Sequence, residues 1–113
     1  MPTPPTCDEA NLPEVEPLSV DRIAAIAKAL GHPARVRIIC QFEDGVSFIA
    51  QDIASECTLA QSTVSEHLRI LREAGVLCAR KDGPRVWYCL RPLALRQFSS
   101  AVAALAEQSL VAV

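Results

Sequence analysis

The chain has 113 residues, of which 50% are hydrophobic, and a formal net charge of −2 at pH 7. This length suits one domain with a small core, and no apolar run approaches the ~20 residues needed to span a bilayer. The N-terminus lacks the basic and apolar regions of a secretory signal, so we expect a cytoplasmic protein. The five cysteines are then predicted to be thiols, because the cytoplasm keeps most cysteines reduced.

Charge and proline are unevenly distributed along the chain. Residues 1–18 hold five prolines and four acidic residues but no Lys or Arg, so we expect a disordered or extended arm with a charge of −4. Residues 19–113 form the predicted domain and carry +2. Within it, residues 66–91 hold six basic side chains against three acidic ones. This excess favours a surface for nucleic acid, although an ordinary solvated face has the same composition.

Two helices are predicted at the start of the domain. Ser19 can cap the first helix and Gly31 can end it. Pro33 then begins the second helix at its first turn. The predicted inner face of the second helix consists of Val36, Ile39 and Cys40. Residues 46–48 follow as a candidate short strand.

The next stretch, residues 52–75, predicts a short helix, a tight corner and a longer helix. Val64, Leu68 and Leu71 recur along one face of the longer helix. A helix held by that face, with short polar side chains exposed near its start, suits the DNA major groove, about 12 Å wide. The side chains predicted to contact DNA from this helix are Gln61, Ser62, Thr63, Ser65, Glu66, His67, Arg69 and Arg72. Glu66 could accept from a cytosine amino group, and His67 could bond to phosphate or orient the helix.

A β-hairpin is predicted next, with strands at 76–81 and 86–90 around the turn Asp82-Gly83-Pro84-Arg85. We expect three basic side chains of this wing, Arg80, Lys81 and Arg85, to follow the neighbouring DNA backbone. Pro92 then opens a last helix. Its apolar stripe consists of Leu95, Phe98, Val102, Leu105 and Leu110. A stripe of this length favours packing against a partner subunit, and a two-fold dimer would match a palindromic site.

This order predicts a mainly α fold with a small β-hairpin wing, a winged helix-turn-helix, and three runs of sequence resemble one family. LGHPARVRII (30–39) looks like the L-[AGS]-[DHN]-P-x-R-x-x-I-L signature of the ArsR/SmtB repressors. TLAQSTVSEHLRILREAGVL (58–77) resembles their recognition segment, and RKDGPRVWYCL (80–90) resembles their wing. The resemblance implies a homodimer, formed through the first and last helices, that leaves double-stranded operator DNA when an inducer binds.

Two residues depart from the family's recognition segment. Thr58 stands where the family usually has Gly, at a position that favours positive φ. Ala60 stands where the family usually has Ser, which removes the expected helix cap and leaves Ser62 as the nearest alternative.

The sequence does not determine the identity of the inducer. Ile49 and Gln51 occupy the positions of the family's two arsenic-binding cysteines. The last helix has no His or Asp for a zinc-type site. With both family sites absent, As(III) or another soft ion on other thiols, a redox or persulfide signal, and no small inducer all remain.

For each cysteine, a sensing role is weighed against an interpretation in which the residue has no function. Cys7 closes onto the partner subunit or has no role. Cys40 and Cys57 are expected to be buried, although Cys40 aligns with a cysteine of the family's persulfide sensors. With a two- or four-residue turn, Cys78 faces Cys89 and both point outward, close enough to oxidise or, with a third donor, to bind As(III). Otherwise they are outward strand residues without a role.

An enzyme is not predicted. The sequence has no C-x-x-C, no glycine-rich phosphate loop and no Ser/His/Asp set.

Overall fold

A computed structural model describes residues 7, 18–43 and 45–110. Its elements are α1 (Val20–Leu30), α2 (Pro33–Cys40), α3 (Ala50–Cys57), α4 (Gln61–Glu73), β1 (Leu77–Asp82), β2 (Arg85–Leu90) and α5 (Pro92–Ala106). The predicted winged helix-turn-helix, mainly helical with one hairpin, is confirmed. Apart from Cys7 and Leu18, the predicted arm lies outside the described residues. Within the described part of the chain, no helix is long and apolar enough to cross a membrane.

The ends of the first two helices follow from local capping. The Ser19 hydroxyl accepts from the Arg22 backbone N–H at 3.2 Å, and Gly31 follows the last residue of α1. His32 is extended, and its Nδ1 accepts from the Ala34 backbone N–H at 3.1 Å. These contacts satisfy backbone donors that a helix leaves unpaired at its start.

The core lies where α1 to α4 meet the start of the hairpin. Its largest fully buried side chains are Ile26, Ile38, Ile53, Leu68, Leu71, Leu77, Val64 and Val76. One predicted face is wrong in part. Ile39 packs half-buried against the core, but Val36 is 45% exposed and Cys40 is exposed. The fully buried side chain of α2 is Ile38. A helix of eight residues has little more than two turns, and the adjacent apolar residues Ile38, Ile39 and Cys40 leave its orientation undetermined.

The corner of the helix-turn-helix adopts the strained shape expected of its sequence. Thr58 has φ 52° and ψ 35°, the left-handed conformation that glycine adopts more readily. Ala60 is the N-cap of α4, and no side chain bonds to the helix start there. Ser62 is the second residue of the helix, so the suggestion that it replaces the missing cap is wrong.

The register of the hairpin is as predicted. Cys78 lies opposite Cys89, Ala79 opposite Tyr88, and Lys81 opposite Val86. Phe48 pairs with Tyr88 at the other edge of β2, with N–H···O distances of 2.7 and 3.0 Å. The predicted strand at 46–48 is reduced to this single bridge.

The predicted outward face of the hairpin is wrong for β2. Trp87 and Cys89 are each only 5% exposed. Cys89 is covered by Cys7, which is 4% exposed and forms a disulfide with it. A contact between residues 82 positions apart is not encoded in the alternation of the strand itself, which is why the pattern misplaced this face.

The last helix is shorter than its predicted stripe. It ends at Ala106, so Leu110 lies beyond it. Leu95 and Phe98 pack against the core, whereas Val102 and Leu105 are 46% and 52% exposed. Within the described part of the chain, the middle of the stripe is therefore left open to solvent, while Leu110 is half-buried.

Ala60→Ser is expected to stabilise the fold by about 1 kcal/mol, because a serine hydroxyl at the N-cap can accept from a backbone N–H of the first turn of α4. Urea unfolding measures the change. Ser62→Ala is the matched control and should alter stability by less than about 0.5 kcal/mol, since Ser62 does not cap. Equal stability of Ala60→Ser and the parent chain would contradict the assignment of the cap.

Candidate nucleic-acid interface

Helix α4 packs against the core through one face and exposes the opposite face to solvent. Val64, Leu68 and Leu71 are fully buried. Of the predicted contact residues on α4, Ser65 and His67 are half-buried, and six are exposed: Gln61, Ser62, Thr63, Glu66, Arg69 and Arg72. Short polar side chains thus occupy the first turns of the outer face, where a base edge or phosphate can approach.

Arg35 connects three helices at the back of α4. Its Nε donates to His67 Nδ1 at 3.2 Å. Its terminal nitrogen lies 3.3 Å from the Lys28 carbonyl oxygen and 3.4 Å from that of Ala29, at the end of α1. No pattern in the sequence indicates this role, although Arg35 is the arginine of the 30–39 run and His67 the histidine of the 58–77 run. The two family-like runs are joined by this hydrogen bond.

The surroundings of His67 favour its neutral form. Burial lowers its pKa below the ordinary 6.5, and the nearby His32 and Arg35 lower it further. The His32 ring meets the His67 ring edge to face, with centroids 4.8 Å apart. Because Nδ1 accepts from Arg35, a proton on that atom would break the bond. His67 therefore faces the interior of the domain through Nδ1 and helps to orient α4.

Three charged side chains on the outer face of α4 are paired with one another. Arg69 donates from Nε and one terminal nitrogen to the two Glu66 oxygens, at 2.9 and 2.5 Å, and from the other terminal nitrogen to Glu73 at 2.8 Å. The hydrogen bond from Arg69 lowers the pKa of Glu66, and the two carboxylates raise the pKa of Arg69. Arg69 cannot reach a phosphate without giving up one of these bonds.

The wing supplies three further exposed basic side chains to the predicted contact surface. Arg80, Lys81 and Arg85 are exposed near the turn of the hairpin. Arg91, one of the six bases of residues 66–91, is only 6% exposed, and its backbone N–H donates to Val76. The surface available to DNA is therefore less basic than the sequence count indicates.

The prediction that all five cysteines are thiols is wrong for two of them, and Cys40, Cys57 and Cys78 form no disulfide. Cys7 and Cys89 form a disulfide with Cα atoms 5.9 Å apart, and the Ser47 hydroxyl lies 3.3 Å from the Cys89 sulfur. This corrects both alternatives for Cys7, which is neither idle nor bonded to a partner subunit here. Cys40 and Cys57 line one cavity of about 330 Å³ with Glu56 and Leu59.

No metal centre is apparent among residues 7, 18–43 and 45–110. Within these ranges, no three His, Cys, Asp or Glu side chains are grouped to hold a metal ion. The predicted pairing of Cys78 with Cys89 gives the expected register, but the Cys89 sulfur is bonded to Cys7 instead.

Comparison with known proteins identifies the family. Residues 32–77 match the profile of bacterial regulatory proteins of the arsR family. A biofilm growth-associated repressor from Agrobacterium fabrum is 32% identical over 82 residues, which cover 73% of this chain and 68% of the repressor.

Solved structures agree with this assignment. The homodimeric winged helix-turn-helix DNA-binding domain of a Mycobacterium bovis regulator has a TM-score of 0.62 at 26% identity, covering 79% of this chain and 82% of that one. The transcriptional repressor BigR from Xylella fastidiosa has a TM-score of 0.57 at 26% identity, covering 71% and 82%. The chain belongs to the ArsR family of bacterial transcriptional regulators and carries that family's winged helix-turn-helix DNA-binding domain.

Proposed function

We propose that the protein is a cytoplasmic homodimeric repressor that places α4 of each subunit in the major groove of a palindromic operator. The observation that carries this proposal is the mounting of α4, with Val64, Leu68 and Leu71 fully buried and the opposite polar face exposed from its first turn. A helix fixed in this way can enter a groove without exposing the core. The proposal includes no catalytic activity.

Residue roles follow from position and chemistry. Gln61, Ser62, Thr63 and Ser65 lie at the start of α4 and supply donors for base edges or phosphates. Arg72 and the wing side chains Arg80, Lys81 and Arg85 contact the flanking backbone. Glu66 accepts from a cytosine amino group after Arg69 turns to a phosphate. His67 keeps its bond to Arg35 and acts by orienting the helix.

The first and last helices form the proposed dimer interface. A groove of about 600 Å³ runs between them, lined by Val20, Ile23 and Leu93 among others. Large apolar side chains stay exposed on the same helices: Val20, Leu93, Val102 and Leu105. A second copy related by a two-fold axis would bury both sets and present two recognition helices to one face of the DNA.

For the inducer, the described thiols favour a redox signal over a bound metalloid. The Cys7–Cys89 disulfide is a specific observation for the former, while no three-ligand cluster supports As(III) or another soft ion in the part of the chain described. Persulfide at the exposed Cys40 and regulation without a small inducer are the other candidates.

Selection of binding sites from random duplex DNA tests the function. We expect a two-fold symmetric sequence with half-sites about one helical turn apart, bound with an affinity that falls steeply with salt. Arg80→Ala should weaken binding to all sequences and lower the salt dependence by about one unit in the log–log slope. Recovery of no preferred sequence would reject the proposed repressor.

Glu73→Gln is expected to raise operator affinity about twofold to threefold at low salt, because it releases Arg69 for a phosphate and removes a charge that repels DNA. Glu66→Gln, the matched variant, should raise affinity similarly but also relax the preference at one cytosine. Fluorescence anisotropy on a panel of single-base operator variants measures both. An unchanged base preference in Glu66→Gln would exclude base reading by Glu66.

His67 should make the fold less stable in mild acid. Its native pKa is lowered, so below about 6.5 the unfolded chain binds a proton that the native chain does not, and the free energy of unfolding falls with decreasing pH. His67→Asn keeps an acceptor near Nδ1 but does not titrate, and should lose less stability. Urea unfolding at about pH 7.5 and about pH 5.5 compares the two. Identical pH dependence would show that His67 is protonated equally in both states.

A further inference from the structure

A cavity of about 330 Å³ lies between α2 and α3, beside the corner of the helix-turn-helix. Its wall contains two thiols, Cys40 of α2 and Cys57 of α3, together with Leu59 of the corner. Cys40 is exposed and Cys57 is half-buried, and neither is disulfide-bonded. Small-molecule pockets usually have volumes of about 300–1,000 Å³, so this cavity suits a compact ligand.

The cavity also holds one positive and one negative side chain. Arg37 and Glu56 line it with the two thiols, and both are exposed. In the described part of the chain, neither side chain makes a hydrogen bond or an ion pair, so the guanidinium donors of Arg37 are available to a ligand. Because the two charges cancel, the cavity favours a neutral ligand with a polar oxygen over an anion or a cation.

We propose that Cys40 is a covalent modification site for small α,β-unsaturated carbonyl compounds, and that the adduct fills this cavity and lowers operator affinity. The inference rests on the proposed repressor function and adds its regulation by an electrophile. Such a ligand has a carbon that a thiolate attacks and a carbonyl oxygen that can accept from Arg37. Its short hydrocarbon part would pack against the apolar wall formed by Ala34 and Leu59.

The reaction is a conjugate addition and needs no oxidant. The Cys40 thiol gives its proton to water, and its sulfur forms a bond with the β-carbon of the ligand. The C=C electron pair moves toward the carbonyl group, which leaves a negative charge on the oxygen. Arg37 donates hydrogen bonds to that oxygen and stabilises the enolate as it forms. The α-carbon then takes a proton from water, so the net change is addition of S–H across the C=C bond.

The corner connects the cavity to the recognition helix. Leu59 lies one residue before Ala60, the N-cap of α4, and Thr58 on its other side has φ 52°. The Leu59 backbone N–H donates to the Ala54 carbonyl at 3.3 Å, and no side chain bonds to the start of α4 at the cap. A strained turn without a side-chain cap resists displacement weakly, so an adduct packed against Leu59 is expected to shift the first turn of α4. The proposed DNA contacts of residues 61–65 would then be misplaced.

The site is tested on the full chain with methyl vinyl ketone as the enone and iodoacetamide as a thiol reagent that forms no enolate. Peptide mapping measures the rate of modification at each cysteine, without reductant so that the Cys7–Cys89 bond stays intact. We expect Cys40 to carry the enone adduct first. Arg37→Gln should slow the enone reaction about tenfold, less than the ~100-fold cost of removing a buried oxyanion donor, because Arg37 is exposed. The iodoacetamide rate should stay nearly unchanged.

Lys28→Gln is the matched control, because it removes an exposed positive charge that does not line the cavity. It should keep the parent ratio of the enone rate to the iodoacetamide rate. Equal slowing of both reagents in Arg37→Gln would show a purely structural effect and overturn the assignment of the ligand class. First modification at Cys57 or Cys78 would overturn the assignment of Cys40.

Fluorescence anisotropy then measures operator affinity of the chain that carries the single Cys40 adduct, on the sequence selected from random duplex DNA. We expect the affinity to be at least about fivefold lower than in the untreated chain, the lower end of typical coupling between two sites. Cys40→Ser should bind equally well before and after enone treatment. Loss of affinity in treated Cys40→Ser would overturn the proposal in favour of another cysteine.

The remaining outcomes separate regulation from function. Equal affinity with and without the verified Cys40 adduct would overturn the regulatory inference and leave the repressor intact. Absence of specific binding by the untreated chain would instead reject the proposed function itself.

Discussion

Burial of one face of the recognition helix is the constraint on which the rest of the structure depends. Val64, Leu68 and Leu71 are inaccessible to solvent, so α4 cannot rotate about its axis without exposing them. Helices α1, α2 and α3 are arranged around that face. Arg35 also restricts the orientation of α4, because its hydrogen bonds to His67 and to the end of α1 fix one side of α4 relative to α1. A hydrophobic contact alone sets no such orientation, whereas a hydrogen bond between specific atoms does.

Much of this arrangement could be predicted from sequence, because its determinants are local. Ser19, Gly31 and Pro33 set helix ends through contacts within four residues, and the Asp82–Arg85 turn fixes the hairpin register. The candidate interface was predictable for the same reason, since periodicity separates the buried face of α4 from its polar face. The positive φ of Thr58 also follows from a local rule, even though the residue is not glycine.

Most of the predictions that were wrong concern contacts between distant parts of the chain. The outward face predicted for β2 is covered by residue 7, which no pattern near residue 89 reveals. The phase of α2 failed for a different reason: eight residues with adjacent apolar side chains fit more than one orientation, and packing against the core selects Ile38. Arg35 was missed because a basic side chain on a short helix resembles an ordinary surface residue until its partner His67 is known.

The proposed DNA-binding surface carries few positive charges, so the proposed affinity for DNA depends on which basic side chains are exposed and unpaired. The chain is acidic overall, Arg91 is buried, and Arg69 is held by Glu66 and Glu73. In the proposed complex, few cationic side chains are then available to contact phosphates, and each one would account for a larger share of the affinity. The proposed phosphate contacts are therefore left to Arg72 and to the three exposed bases of the wing, Arg80, Lys81 and Arg85.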